Sequence, residues 1–250
     1  MTKVLDSWSR TREVCSALIV LNKVDSTNSY LMNNTELSEY SVAISLNQTG
    51  GRGRWGREWV NRAGEGIAVS MVAPAPQGNL LEDLTLVPLA VGASVVSAIN
   101  SISAKPVTMK WPNDILFDDK KLGGILCEVR RDSKIVVGIG LNLVFQGARP
   151  SERAVSLSDF LPVDAIILDD LVSETVRLLI RNLTVRGTKQ RELIADALET
   201  IGKRVRVRGK DGVEWTGVAL GIEVNGALRI RSDDGKEIAV LSSEVDHLYQ

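Results

Sequence analysis

The chain predicts an α+β fold: a main domain of strands and helices, followed by a small barrel of short strands. Three observations carry this. Over roughly the first 200 residues, apolar runs of strand length are interleaved with three longer stretches of helical spacing. Between Val107 and Leu143, three strand-like runs follow one another through short turns, a meander whose connections allow only antiparallel pairing. After Gly202 the character changes to short alternating strands separated by glycine-containing turns.

The elements follow in order. Ser7 to Ser16 is polar with few signals, and Leu18 to Val24 is a β-branched apolar run that reads as a strand. It leads into Ser26-Thr27-Asn28, residue types that cap helices and also suit a pocket at a strand end, and capping is the simpler reading. Ser41 to Asn47 alternates, with Val42, Ile44 and Leu46 on one face. Gly66 to Val72 is another strand, broken by Pro74-Ala75-Pro76-Gln77-Gly78. Leu81 to Asn100 reads as a buried helix, with Glu82 and Asp83 near its positive end and Pro88 near its first turns. Lys110-Trp111-Pro112-Asn113-Asp114 makes a bend before a strand from Ile115 to Phe117, and Asp118-Asp119-Lys120 turns the chain back. Lys121 to Val129 and the glycine-dotted Ile135 to Leu143 complete the meander. Leu168 to Val185 and Thr188 to Ile201 have helical spacing, the second capped by Gly202. Turn signals at Lys210-Asp211-Gly212, Asn225-Gly226 and Asp233-Asp234-Gly235 then mark a hairpin series. The division expected is 1–201 and 202–250, with a main domain that folds without the tail.

Composition bounds the chemistry. With 250 residues, 44% hydrophobic, the chain can bury a real core. A net charge of −1 argues against a general polyanion binder, so any nucleotide site must be local. Cys15 and Cys127 lack metal or disulfide spacing, and Cys127 reads as a small buried hydrophobe. His247 is the only histidine, which excludes a multi-histidine metal site and disfavours a histidine-based triad. The start lacks signal-peptide order, and the uncharged run from Leu84 to Ala104 contains Pro88, Gly92, Asn100 and serines. A cytoplasmic protein without a membrane partner is expected.

The stretch from Gln48 to Trp59 carries the strongest chemical signal. It sets Gly50, Gly51, Gly53 and Gly56 among Arg52, Arg54 and Arg57, between Gln48 and Trp59. Glycine lets a backbone approach a ligand, and arginine offers a planar fork to carboxylate or phosphate. Four arginines and one glutamate lie between Gln48 and Arg62, so the loop is locally cationic. Lys121 precedes Gly123-Gly124, while Asn113, Asp114 and Asn142 supply oxygens suited to magnesium and its waters. There is no Walker A pattern and no dinucleotide fingerprint.

Taken in order, Ser26-Thr27-Asn28, Gln48 with Gly51-Arg52-Gly53-Arg54-x-Gly56-Arg57-x-Trp59, Lys110-Trp111-Pro112-Asn113-Asp114, Lys121-Leu122-Gly123-Gly124-Ile125-Leu126 and Gly138-Ile139-Gly140-Leu141-Asn142 resemble the motif series of the biotin protein ligases. The resemblance implies a class II aminoacyl-tRNA synthetase-like mixed sheet with flanking helices, plus an SH3-like β-barrel after Gly202. It implies ATP, Mg2+ and biotin as ligands, biotinyl-5′-AMP as intermediate, and a lysine of a biotin carboxyl carrier protein domain as acceptor. On it, Ser26, Thr27, Asn28 and Gln48 are expected at biotin, and Gly51, Arg52, Gly53 and Arg54 around its tail and activated carboxyl. Lys121, beside Gly123 and Gly124, is expected at that carboxyl and the α-phosphate, with Arg54 and Lys121 catalytic. Arg57, Trp59, Lys110, Asn113, Asp114 and Asn142 are expected at the nucleotide, the last two at the metal. The loop is expected to be flexible and to order over the adenylate. Some relatives add an N-terminal DNA-binding domain, for which the twenty or so residues before the first motif leave no room. DNA is therefore not an expected partner, and the chain is expected to be a monomer or homodimer. Lipoate or octanoyl ligases of the same superfamily and a binding module without catalysis are the competing readings.

Overall fold

The computed structural model describes residues 8–59, 62–74, 80–185, 187–209, 212–241 and 243–248, with backbone alone at 80–84. The expected break at 75–78, the turn residues Lys210 and Asp211, and the side chains of Glu82 and Asp83 lie outside the described residues.

In chain order the main part holds α1 (Ser9–Val14), β1 (Ala17–Leu21), α2 (Thr27–Asn33), β2 (Ser41–Ser45), two short strands β3 (Gly51–Arg52) and β4 (Glu58–Trp59), and β5 (Gly66–Ala73). Then come α3 (Leu80–Asn100), β6 (Thr108–Lys110), β7 (Asp114–Phe117), β8 (Lys120–Val129), β9 (Ile135–Asn142), α4 (Ala165–Thr184) and α5 (Thr188–Ala197). Seven of these strands form one mixed sheet in the order β1-β2-β5-β9-β8-β7-β6. Only β1 and β2 are parallel, and the predicted meander is antiparallel throughout.

The sheet is covered on both faces. Val42, Ile44, Val69, Met71 and Val137 join the large core that includes Leu89, Val95, Leu171, Val176 and Leu179 of α3 and α4. The intervening Ala43, Val72 and Val136 pack instead with Leu31 of α2. Because successive side chains of a strand point to opposite faces, this assigns α3 and α4 to one face and α2 to the other. β2 is therefore buried on both sides, where the sequence suggested one buried face.

Several local features were not legible. Asp169 of α4 accepts from the backbone N–H of Arg10 and Thr11, 2.9 Å each, and so caps α1, a helix the polar sequence did not announce. Pro88 is the ninth residue of α3, well inside the helix. Asp118 and Asp119 hold φ of 48° and 59°, the left-handed pair of a two-residue hairpin turn between β7 and β8. α5 ends at Ala197, and Leu198 bridges to Met109 beside β6. Gly202, at φ 83°, turns the chain into the next strand and does not cap the helix.

The C-terminal part is a five-stranded antiparallel sheet of β10 (Arg204–Arg208), β11 (Glu214–Ile222), β12 (Leu228–Ser232), β13 (Glu237–Val240) and β14 (Glu244–His247), in the order β13-β12-β11-β10-β14. β13 and β14 are its edges, so the described pairing leaves the expected barrel open. Its apolar face is continuous with the main core: Val205, Val207, Ala219, Leu228, Ile230 and Val245 belong to the same cluster as Trp111 and Met109. Trp111 Nε1 also donates to Gly226 O at 3.1 Å. The tail thus packs its apolar face against the main part.

Candidate active site

The α2 face of the sheet provides the floor of a cleft of about 370 Å3. The floor follows from strand register. Ser70 of β5 lies beside Gly138 of β9, which lies beside Leu126 of β8. One step along the same face, Ala68 lies beside Gly140, which lies beside Gly124. Two rows of small residues therefore run across three central strands.

Each bare row receives one side chain. A Cβ on Gly138 would overlap the Asn28 amide, 2.8 Å from Cγ and 2.9 Å from Nδ2. A Cβ on Gly140 would lie 2.8 Å from the Trp59 indole nitrogen. Glycine is required at both positions by close approach. The spacing of two places both on one face, a signal present in the sequence.

Ser26 caps α2, its hydroxyl accepting from Ser29 N at 3.3 Å, so the capping reading holds for Ser26. Thr27 and Asn28 are buried and turn onto the sheet. Thr27 N donates to Gln48 Oε1 at 2.9 Å. Ser70 Oγ lies 2.7 Å from Thr27 Oγ1 and 2.6 Å from Asn28 Oδ1. Having one proton, Ser70 donates it to the carbonyl-type Asn28 Oδ1 and accepts from the Thr27 hydroxyl. Asn28 Nδ2 donates to Leu126 O at 3.2 Å and to Glu128 at 2.9 Å. At the far end of α2, the buried Arg130 guanidinium donates to the carbonyls of Leu31, Asn34 and Leu37, which fixes the helix on the sheet.

The glycine-arginine stretch forms a short hairpin. β3 pairs with β4, Gly53 N donates to Arg57 O at 2.6 Å, and Gly50 N donates to Asp25 O at 2.7 Å. The tip places Trp55 and Gly56 at φ of 57° and 75°. Trp55 is exposed between the guanidinium groups of Arg54 and Arg57, 4.9 and 5.8 Å from its ring centre. These contacts give the glycine-arginine stretch the shape of a hairpin along one side of the cleft.

The opposite wall comes from the bend after β6 and the start of β8. Asn113 Nδ2 donates to Ile125 O at 2.9 Å, and Arg54 reaches Asn113 Oδ1 at 3.4 Å. Lys121 Nζ lies 2.7 Å from Asp114 Oδ1 and 5.7 Å from the Trp59 ring centre. Burial lowers the Arg54 pKa, Asp114 opposes and Arg57 adds to the lowering, yet arginine stays charged at neutral pH. Strand β14 closes the rim: Glu244 pairs with Arg57, and Asp246 with Lys110 at 3.0 Å. Lys110, with Arg153 and Arg208, outweighs burial and holds the Asp246 carboxyl below its ordinary pKa.

Most expected residues thus meet in one cleft: Ser26, Thr27, Asn28, Gln48, Arg52, Gly53, Arg54, Arg57, Trp59, Lys110, Asn113, Asp114, Lys121 and Gly124 line it. Three are not in its lining. Gly51 packs against Trp59 and Gln48, and Gly123 against Gly140 and Leu141. Asn142 is buried, donating to Lys121 O at 3.3 Å and Val155 O at 2.9 Å. It fixes the backbone of Lys121 and stands apart from Asp114 in the lining. Missed by sequence reasoning were Ser70, Glu128, Glu244 and Asp246. Ser70 and Glu128 are polar interruptions of apolar strands, a readable signal, whereas β14 reaches the cleft only through tertiary packing.

Chemically, a small hydrogen-bonded end and an end where Arg54, Arg57, Lys110 and Lys121 meet Asp114, Glu244 and Asp246 share one groove. Such a cleft suits a compact polar ring system joined to a phosphate. This sheet and site define a protein of the biotin/lipoate A/B protein ligase class, whose family model matches residues 20–143. The model of the biotin protein ligase C-terminal domain matches residues 200–248. The sequence is 33% identical over 216 residues to a biotin–acetyl-CoA-carboxylase ligase of Mycobacterium tuberculosis, covering 83% of this chain and 79% of that one. It is 29% identical over 248 residues to the bifunctional ligase/repressor BirA of Escherichia coli, covering 91% and 75%. The fold matches that of a biotin protein ligase from Aquifex aeolicus in complex with biotin and ATP, at a TM-score of 0.78 and 27% identity, over 93% of this chain and 100% of that one. The chain belongs to the biotin protein ligases.

Proposed function

We infer that this chain is an ATP-dependent biotin protein ligase. It joins biotin and ATP into biotinyl-5′-AMP with release of pyrophosphate, then passes the biotinyl group to a lysine of a biotin carboxyl carrier domain. The observation that carries this is the single groove joining the Thr27–Asn28–Gln48 end to the Arg54–Lys121 end. A cytoplasmic setting and a monomeric or dimeric state complete the reading.

The roles follow from the chemistry of the ends. Thr27 and Gln48 hold the polar head of biotin, and its flat body lies along the groove toward the Trp59 indole that covers Gly140. The biotin carboxylate attacks the α-phosphorus, so one P–O bond forms and the bond to pyrophosphate breaks. Negative charge grows on the α-phosphate oxygens, and Arg54 and Lys121 face it. Fixed cations in a shielded groove stabilise such charge without reorganisation. No protein nucleophile is needed, in keeping with a cleft free of cysteine and histidine in its lining. The Asp114 carboxylate and Asn113 amide oxygen fit Mg2+, which takes few hard oxygen ligands and keeps several waters. Held there, Mg2+ would supply positive charge for the departing pyrophosphate. In the second step the carrier lysine attacks the acyl carbon and AMP leaves.

Biotin-dependent exchange of pyrophosphate into ATP, with lipoate and octanoate as controls, tests the reading. Exchange with biotin alone supports it. Exchange only with the other two acids keeps the class and rejects the substrate. Biotin binding without exchange supports a binding module.

A further inference from the structure

Glu128 belongs to none of the motifs that mark the family, yet it joins two walls of the cleft. It lies on β8, two residues beyond Leu126 on the same face, opposite Val136 in the row next to Ser70–Gly138–Leu126. Its Oε2 accepts from Asn28 Nδ2 at 2.9 Å and from Arg52 at 3.1 Å. The same Arg52 guanidinium nitrogen lies 3.2 Å from Ser29 Oγ of α2. One carboxylate therefore touches the helix that carries the ring-binding residues and the hairpin that covers the cleft.

We propose that Glu128 is a positioning residue that latches the Gly/Arg hairpin over the biotin end of the groove through Arg52, and fixes the amide of Asn28 while doing so. The inference rests on the ligase reading above. Both protons of Asn28 Nδ2 are used, on Leu126 O and Glu128, so its Oδ1 is turned to Ser70. That orientation leaves Ser70 able only to accept from Thr27, which orders the donors facing the ligand. Removing the carboxylate frees the amide to flip and the hairpin to lift. The Arg52 and Glu128 side chains are 46% and 24% exposed, so the pair is a breakable contact and not a buried one.

The test uses Glu128→Gln, which keeps an acceptor for Asn28 but loses the charge facing Arg52, together with Glu128→Ala and Arg52→Ala. In the ligand-free protein, trypsin cleavage after Arg52, Arg54 or Arg57 reads the hairpin directly. Glu128→Gln is expected to speed it about fivefold, the upper range for a part-exposed ion pair. Biotin affinity falls by a similar factor, while the KM for ATP stays within about twofold and the unfolding midpoint is unchanged. Because Glu128 acts through Arg52, Glu128→Ala combined with Arg52→Ala retains the hairpin no worse than Arg52→Ala alone. Unchanged cleavage in Glu128→Gln, or additive losses in the double variant, overturns the latch. Faster cleavage spread along the whole chain with a lowered midpoint also overturns it, in favour of a purely structural role. Biotin-dependent exchange by the unaltered protein is measured alongside. Its absence refutes the ligase reading, while the cleavage data still decide the latch.

Discussion

Gly138→Ala is the most informative single change. The added Cβ would lie 2.8 Å from Asn28 Cγ, closer than real Cβ contacts come. Sheet backbone on both sides of β9 cannot yield, so the Asn28 side chain must leave. It then loses its bonds to Ser70, Leu126 O and Glu128. Two neutral hydrogen bonds at about 1 kcal/mol each and one to a carboxylate at about 2 kcal/mol give a gross loss of about 4 kcal/mol. Water reaching the cleft restores part of this, and the stiffer unfolded chain offsets about 0.5 kcal/mol. A net loss of about 2 kcal/mol is expected, which for a chain of this size lowers the unfolding midpoint by about 4–8 °C. Biotin affinity falls by about tenfold or more, because the displaced amide occupies the space beside Thr27. Scanning calorimetry and titration calorimetry with biotin read both effects. Gly140→Ala is the companion: its Cβ strikes the Trp59 indole, so it slows adenylation more than it weakens biotin binding. A Gly138→Ala protein with unaltered midpoint and biotin affinity would refute the placement of Asn28 on that row.

The remaining predictions concern charge and the C-terminal sheet. Lys121→Ala slows biotin-dependent exchange by about a hundredfold or more at an unchanged unfolding midpoint; intact exchange removes Lys121 from the mechanism. Arg54→Gly accelerates release of biotinyl-AMP, read in a single-turnover experiment, and an unaltered release rate would show that the hairpin does not retain the intermediate. His247, 5% exposed, has its pKa pushed down from 6.5 to about 4 by burial first, then by Lys203 and Lys110. The folded state thus resists a proton that the unfolded chain takes. Its contribution is intact above pH 6.5 and is lost as pH falls toward 4, by about 2 kcal/mol after discounting for solvent near the ring. Urea unfolding at pH 7.5 and 5 should show this loss, and His247→Gln should flatten it. Ending the chain after Gly202 uncovers the core shared by Trp111, Val205 and Leu228, so the truncated protein aggregates; a soluble, cooperatively unfolding fragment would contradict the shared core.

What the sequence determined by itself was the set of short-range devices. Alternation gave the meander, the glycine turns gave the C-terminal hairpins, and Ser26 announced its cap, because each depends on neighbours a few residues away. The motif residues were also legible, since the family signature is a string of local patterns. Helix α1 was not, because its cap, Asp169, comes from more than 150 residues along the chain. Nor was the end of α5, where Leu198 leaves the helix to pair with Met109. The division of labour within the motifs was decided only by packing. Asn142 and Gly123 carry the same motif signals as Lys121 and Gly124, yet strand alternation turns Gly123 to the other face, and Asn142, on the same face as Gly138 and Gly140, spends its amide on the backbone of Lys121 and Val155. Ser70 and Glu128 enter the site only because the register of β5, β9 and β8 sets them in neighbouring rows of one sheet face. Glu244 and Asp246 enter only because the C-terminal sheet shares the main core. Register and inter-element packing are long-range choices among many locally equivalent arrangements, and the burial of the whole core, not any one stretch of sequence, selects among them.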